Sequence, residues 1–65
     1  MSLLLTPDAA ARELSISRTA LYELMGRNRI ASVKIGRSRR IPRSAIDAYV
    51  ARLVADQIVD SPDAD

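Results

Sequence analysis

Two helical patterns joined by three residues set the strongest limit on how this chain can fold. Thr6-Pro7-Asp8 opens the first pattern. Thr6 is suited to cap a helix, Pro7 needs no N–H at the first helical position, and Asp8 favours the positive end of the helix dipole. Pro7, Ala10, Ala11 and Leu14 then share a face, and the alanines permit close approach of a second helix. The second pattern is Ile16 to Met25. The Ser17 hydroxyl can accept a bond from an unpaired N–H of the first turn, and Ile16 can pack on Leu21 as a hydrophobic staple. On a 100° wheel Leu21, Leu24 and Met25 fall on one side with Ala20 at its edge. Thr19, Tyr22, Glu23 and Gly26 fall on the other, with Arg18 on the flank. Only Ser15, Ile16 and Ser17 join the two helices, and so short a link forces a steep crossing. Turns of this kind often place Gly first, where φ is positive. Ser15 stands there, so a slightly strained Ser15 or a different turn conformer is expected.

Sixty-five residues make one domain, too small to bury a large core. There is no cysteine and no histidine. Disulfide staples and the common structural zinc sites are therefore excluded, as are Cys and Ser-His-Asp nucleophilic chemistry. No metal, cofactor or enzymatic activity is expected. The apolar runs are a few residues long, so no membrane span is expected, nor is a secretory signal. These features suit a cytoplasmic protein.

Charge is divided along the chain. Residues 1–55 hold ten basic and four acidic residues, a net +6, while 56–65 hold four aspartates and no base, a net −4. Arg27, Arg29, Lys34, Arg37, Arg39, Arg40 and Arg43 lie in one acid-free stretch directly after the second helix. Such density attracts polyanions.

The second helix is expected to end at Gly26-Arg27-Asn28, since Gly and Asn tolerate the left-handed conformation. Ala31, Val33 and Ile35 alternate with Ser32 and Lys34, the period of a half-buried strand. Gly36-Arg37-Ser38 would turn the chain, and Arg39-Arg40-Ile41 would return it. A lone hairpin is unstable in water, so Val33, Ile35 and Ile41 should pack on the helices. Pro42 bounds the hairpin. A third helix, from Arg43 to Ala55 or Ile58, would close the core with Ile46, Tyr49, Val50, Leu53 and Val54. Leu3-Leu4-Leu5 would add a short strand or cover the core. The expected fold is mostly α with a small β-hairpin: a winged helix-turn-helix of three helices, with the wing between the second and third. Residues 1–59 would form the domain and 60–65 a disordered acidic tail.

The order of these parts resembles the excisionase-type winged helix-turn-helix family, distantly related to the mercury-resistance-regulator superfamily. The resemblance covers residues 3–54. It is carried by the capped, Ala-rich Thr6–Leu14 segment, by Ser17-Arg18 with Leu21-Tyr22, and by Val33-Lys34-Ile35-Gly36-Arg37 followed by Arg40-Ile41-Pro42-Arg43. Many relatives carry an aromatic residue in the return strand, where this chain has Ser38-Arg39. The resemblance implies a phage or integrative-element recombination directionality factor, nucleoid-associated in a bacterial host. Several copies would bind double-stranded DNA cooperatively beside an attachment site, bend it, and help an integrase excise the element.

Ser17, Arg18, Thr19 and Tyr22 are the major-groove candidates by this resemblance, and Lys34, Arg37 and Arg39 the wing and phosphate candidates. The chemistry agrees. Arg18 can pair with guanine O6 and N7, Thr19 can touch a thymine methyl or a phosphate, and Tyr22 can donate to a phosphate or pad the helix edge. Lys34, Arg37 and Arg39 would neutralise phosphates. Arg40 and Arg43 could instead be structural, for example through an Arg43–Asp47 pair. A small phage-type transcriptional regulator would use the same fold and face. A protein- or RNA-binding partner, of the antitermination kind, is a third reading.

Overall fold

The computed structural model of the chain describes residues 2–57. In order these form β1 (Leu4–Leu5), α1 (Pro7–Leu14), α2 (Arg18–Gly26), β2 (Val33–Ile35), β3 (Ser38–Pro42) and α3 (Arg43–Gln57). The expected boundary at residue 59 and the acidic tail beyond it lie outside the described residues. Among the described residues, no helix is long and apolar enough to cross a membrane.

Both early helices begin and end on identifiable side-chain and backbone bonds. The Ala9 N–H donates to the Thr6 hydroxyl at 3.1 Å, and the Ala20 N–H to the Ser17 hydroxyl at 3.0 Å. At the end of α1, Ser15 is left-handed, with φ 58° and ψ 41°. Its N–H donates to the Arg12 carbonyl at 3.1 Å, and that of Ile16 to the Ala11 carbonyl at 3.0 Å. This is the paired bonding of a Schellman cap. The end of α2 repeats it: Asn28 has φ 57°, its N–H reaches Met25 at 3.0 Å, and the Arg29 N–H reaches Leu24 at 2.8 Å. Asn28 and not Gly26 therefore takes the special conformation.

The Ser15 geometry leads to a stability prediction. A side chain in the left-handed region costs about 1–2 kcal/mol, part of which glycine returns as extra freedom of the unfolded chain. Ser15→Gly is expected to stabilise the domain by up to about 1 kcal/mol, a rise in Tm of a few degrees. Thermal unfolding followed by circular dichroism checks this, and a lowered Tm would show that the serine hydroxyl matters more than its backbone strain.

The hairpin is not an isolated pair. The sheet has three antiparallel strands in the order β1-β3-β2, so the N-terminal strand covers the inner edge of the wing. Leu4 lies opposite Pro42 and Leu5 opposite Ile41, while Val33, Lys34 and Ile35 face Arg40, Arg39 and Ser38. The turn is thus only Gly36-Arg37, with Gly36 at φ +61°, a two-residue hairpin with glycine first. Pro42 is the last residue of β3 and not a residue beyond it. The next N–H, that of Arg43, carries the ladder on by donating to the Leu3 carbonyl at 2.8 Å.

The core consists of Leu5, Ala10, Ala11, Leu21, Ile30, Ile41 and Ile46, with Leu21 and Ile41 wholly buried. Ala9, Leu14, Ile16, Leu24, Met25, Ala45 and Tyr49 pack around it. Two sequence expectations fail here. Val33 and Ile35 do not pack on the helices; they are 41% and 56% exposed, because the register sets them beside Arg40 and Ser38, on the sheet face opposite the one that buries Ile41. The α3 stripe is used only at its start. Ile46 is buried and Tyr49 half-buried, but from Val50 onward every described residue except half-buried Leu53 is exposed. At 1.5 Å per residue α3 is about 22 Å long, more than a short three-stranded sheet can cover.

Arg43 joins three segments. Its Nε donates to the Ser2 carbonyl at 3.0 Å, and its Nη1 meets Glu13 Oε1 at 3.4 Å. The expected structural role is present, but the partner is Glu13 and not Asp47. Arg43 begins α3, where side chains lean back toward the helix start, here over β1 and α1.

Candidate nucleic-acid interface

The packing of α2 on α1 and the core leaves one side of α2 uncovered. Ser17, Arg18, Thr19 and Tyr22 are all exposed along it, together with Glu23. Ser17 holds the helix start through its bond to Ala20, so its oxygen is already an acceptor and its O–H remains a donor. Arg18 is flanked by two groups. Its Nε lies 3.2 Å from Asp8 Oδ1, and its guanidinium carbon lies 5.5 Å from the Tyr22 ring centroid. The Tyr22 phenol first, and then the Asp8 carboxylate, push the Arg18 pKa further up, so this guanidinium stays charged. Both members of the Arg18–Asp8 pair are largely solvent-exposed, so the pair is weak and readily exchanged for another anion.

Lys34, Arg37 and Arg39 lie on the wing and are exposed. The register places Lys34 directly opposite Arg39, and Arg37 occupies the turn. Like charges facing each other across a ladder are unfavourable unless an anion joins them. The arrangement therefore suits a bound polyanion better than an isolated protein. Arg39 Nη1 donates to Ser32 Oγ at 2.9 Å, tying the wing to the loop before β2.

The structure thus gathers Arg18 and Tyr22 on one element and Lys34, Arg37 and Arg39 on another. An open groove of about 810 Å³ joins them, with Tyr22 and Arg39 both in its lining. Three residues escaped the sequence reading of the site. Asp8 reads in the sequence as a helix-start charge and Arg29 as one member of the basic block, and nothing there singles out Arg52. Only the Asp8–Arg18 pairing and the entry of Arg29 and Arg52 into the groove reveal them. No local spacing signals those contacts.

A capped helix exposed after a three-residue turn, followed by a basic hairpin, defines a winged helix-turn-helix DNA-binding protein. Residues 4–54 match the Helix-turn-helix domain family. A probable excisionase of Saccharopolyspora erythraea is 56% identical over 54 residues, covering 83% of this chain and 55% of that relative. An excisionase of Streptomyces ambofaciens is 34% identical over 56 residues, covering 86% of this chain and 89% of the relative. The chain thus spans about half the length of the first relative and most of the second. No solved structure matches it. The chain belongs to the excisionase-type helix-turn-helix family, whose members bind DNA and are not enzymes.

Proposed function

We propose that this protein is a recombination directionality factor: it binds and bends attachment-site DNA and helps an integrase carry out excision. The strongest support is its 34% identity to an excisionase of which it covers 89%. In this reading α2 enters the major groove, with Ser17, Arg18, Thr19 and Tyr22 toward the bases and nearby phosphates. The wing reaches the adjacent minor groove, where Arg37 at the turn favours a narrow, electronegative groove. Residues 1–59 act as the DNA-binding unit, in the nucleoid of a bacterial cell.

One such domain covers roughly 600–1,000 Å² on DNA, so a single copy binds modestly and selective occupancy requires several neighbouring copies. Selection from a random duplex pool, with the spacing of recovered sites mapped, tests this. Tandem sites in one orientation are expected. A single inverted repeat would instead identify a dimeric transcriptional regulator. Binding to a parallel RNA pool but to no duplex, or to neither, would overturn the DNA reading, whereas salt-dependent duplex binding without enrichment would remove base reading by α2 alone.

Two further results are expected. Arg37→Ala should weaken binding to all duplexes alike and reduce the salt slope by about one, because a phosphate contact releases a counterion without reading sequence. Titrations at several salt concentrations measure this; a sequence-selective loss would place Arg37 on a base. The charge split of +6 over 1–55 and −4 over 56–65 supports contact between the acidic segment of one copy and the basic wing of the next. Deleting 56–65 should therefore reduce cooperativity on tandem sites and spare single-site affinity, as read from binding isotherms on one-site and two-site duplexes.

A further inference from the structure

We propose that the groove between the end of α2 and the wing is a phosphodiester site. In it Arg29 and Arg52, which lie outside both DNA-facing elements, hold the backbone as it passes from one groove of the duplex to the next. This rests on the DNA-binding reading above and adds a site to it.

The groove, about 810 Å³, has Tyr22 of α2 and Arg39 of β3 in its lining, together with Asn28, Arg29, Ser32 and Arg52. A strand contacted by both α2 and the wing must cross the space between them. No acid among the described residues lines that space. Three arginines therefore line it without a carboxylate, which raises its attraction for an anion. Two arginines elsewhere do face an acid: Arg18 faces Asp8 and Arg43 faces Glu13.

Two of the three groove arginines are oriented by neutral acceptors. Arg39 donates to the Ser32 hydroxyl at 2.9 Å, and Arg52 Nη2 donates to the Arg29 carbonyl at 2.7 Å. A guanidinium carries five N–H donors, so each keeps most of its donors and all of its charge. Their planar forks suit the two free oxygens of a phosphodiester. The loop that carries Arg29 is itself held, by the Asn28 cap before it and by buried Ile30 after it. The backbone of the site and two of its three arginines are thus positioned before DNA arrives. Arg29 and Arg52 also line an adjoining hollow of about 440 Å³ together with Asp56, so of the two spaces they border, the one shared with the wing is the one without an acid.

The test uses the full chain, a duplex recovered from the selection above and a scrambled duplex. Arg29→Ala and Arg52→Gln should each weaken binding to both duplexes by the same factor, leaving the preference between them unchanged. Each should lower the salt slope by about 0.9, so that a fourfold salt increase costs the variant about 3.5-fold less affinity than it costs the wild type. A walk of neutral methylphosphonates along each strand should find a phosphate whose neutralisation weakens the wild type but has no further effect on either variant. Both variants should report the same phosphate or its direct neighbour.

Variants that keep the wild-type slope overturn the proposal, as does dependence on phosphates far apart. Should Arg52→Gln lower the melting temperature, Arg29→Ala decides alone, because its side chain makes no hydrogen bond among the described residues. A wild-type protein that binds no duplex removes the DNA-binding reading and this site with it. A wild type that binds while both variants match it removes the site alone.

Discussion

Leu21→Ala is expected to leave the domain largely unfolded at room temperature, or to lower its Tm by more than 10 °C, by about 4–8 °C for each kcal/mol lost. Leu21 is wholly buried at the centre of the core, where α2 meets the residues of α1, β3 and α3. Truncating a buried leucine costs about 2–5 kcal/mol, the lost transfer energy plus the cavity left behind. A chain of this size has a total stability of roughly 3–10 kcal/mol. It has no cysteine with which a disulfide could compensate. Ile30 and Ile41 are buried beside it and packed among backbone elements, so the space cannot readily collapse. Val54→Ala is the contrasting variant. Val54 belongs to the longest apolar stripe in the sequence, yet it is 49% exposed, so the change should stay within about 0.5 kcal/mol. Denaturant and thermal unfolding of the two variants measure the difference. Equal losses would mean that α3 packs along its whole length, against the arrangement described above.

The second large effect concerns Arg18. Arg18→Ala should reduce affinity for the selected site by about 5- to 150-fold and relax preference at one base pair, the range expected for one bidentate guanine contact. Before binding, the guanidinium is shared between Asp8 and Tyr22. That contact is exposed, weak and screened by salt, whereas a guanine edge offers two acceptors in the geometry of the guanidinium fork. The exchange therefore favours DNA. Arg18→Lys should not restore the preference, because an ammonium cannot make the paired contact. Asp8→Asn should change affinity by a few-fold at most, upward, since it removes both the competitor and a negative charge near the backbone. Competition assays against single-base variants of the site provide the readout. An Arg18→Ala protein with unchanged affinity and preference would remove α2 from base recognition.

What could be read from the chain alone was whatever depends on neighbours in sequence. While the pairing of Ser38 with Ile35, which shortens the hairpin turn to two residues, came from the structure, the caps at Thr6 and Ser17, the unusual position of Ser15, the end of α2 near Asn28 and a turn beginning at Gly36 all follow from local backbone and side-chain preferences. So did the candidate site, because helix period separates Arg18, Thr19 and Tyr22 from the buried face, and charge density marks the wing.

Only the tertiary structure decided which apolar residues are core. Helical period set Val50 and Val54 on one face with buried Ile46, but not how far the opposing surface extends, and alternation grouped Val33 with Ile35 without telling which face of the sheet meets the core. The register of the hairpin, which turns Val33 and Ile35 to the face opposite Ile41, and the length of α3 leave all four exposed. Folding also chose Glu13 for Arg43, joined Asp8 to Arg18, and brought Arg52 to the carbonyl of Arg29. Those contacts span 30, 10 and 23 positions of the chain. Local preference carries no information over such separations, because the partners meet only after the helices have crossed and β1 has joined the wing.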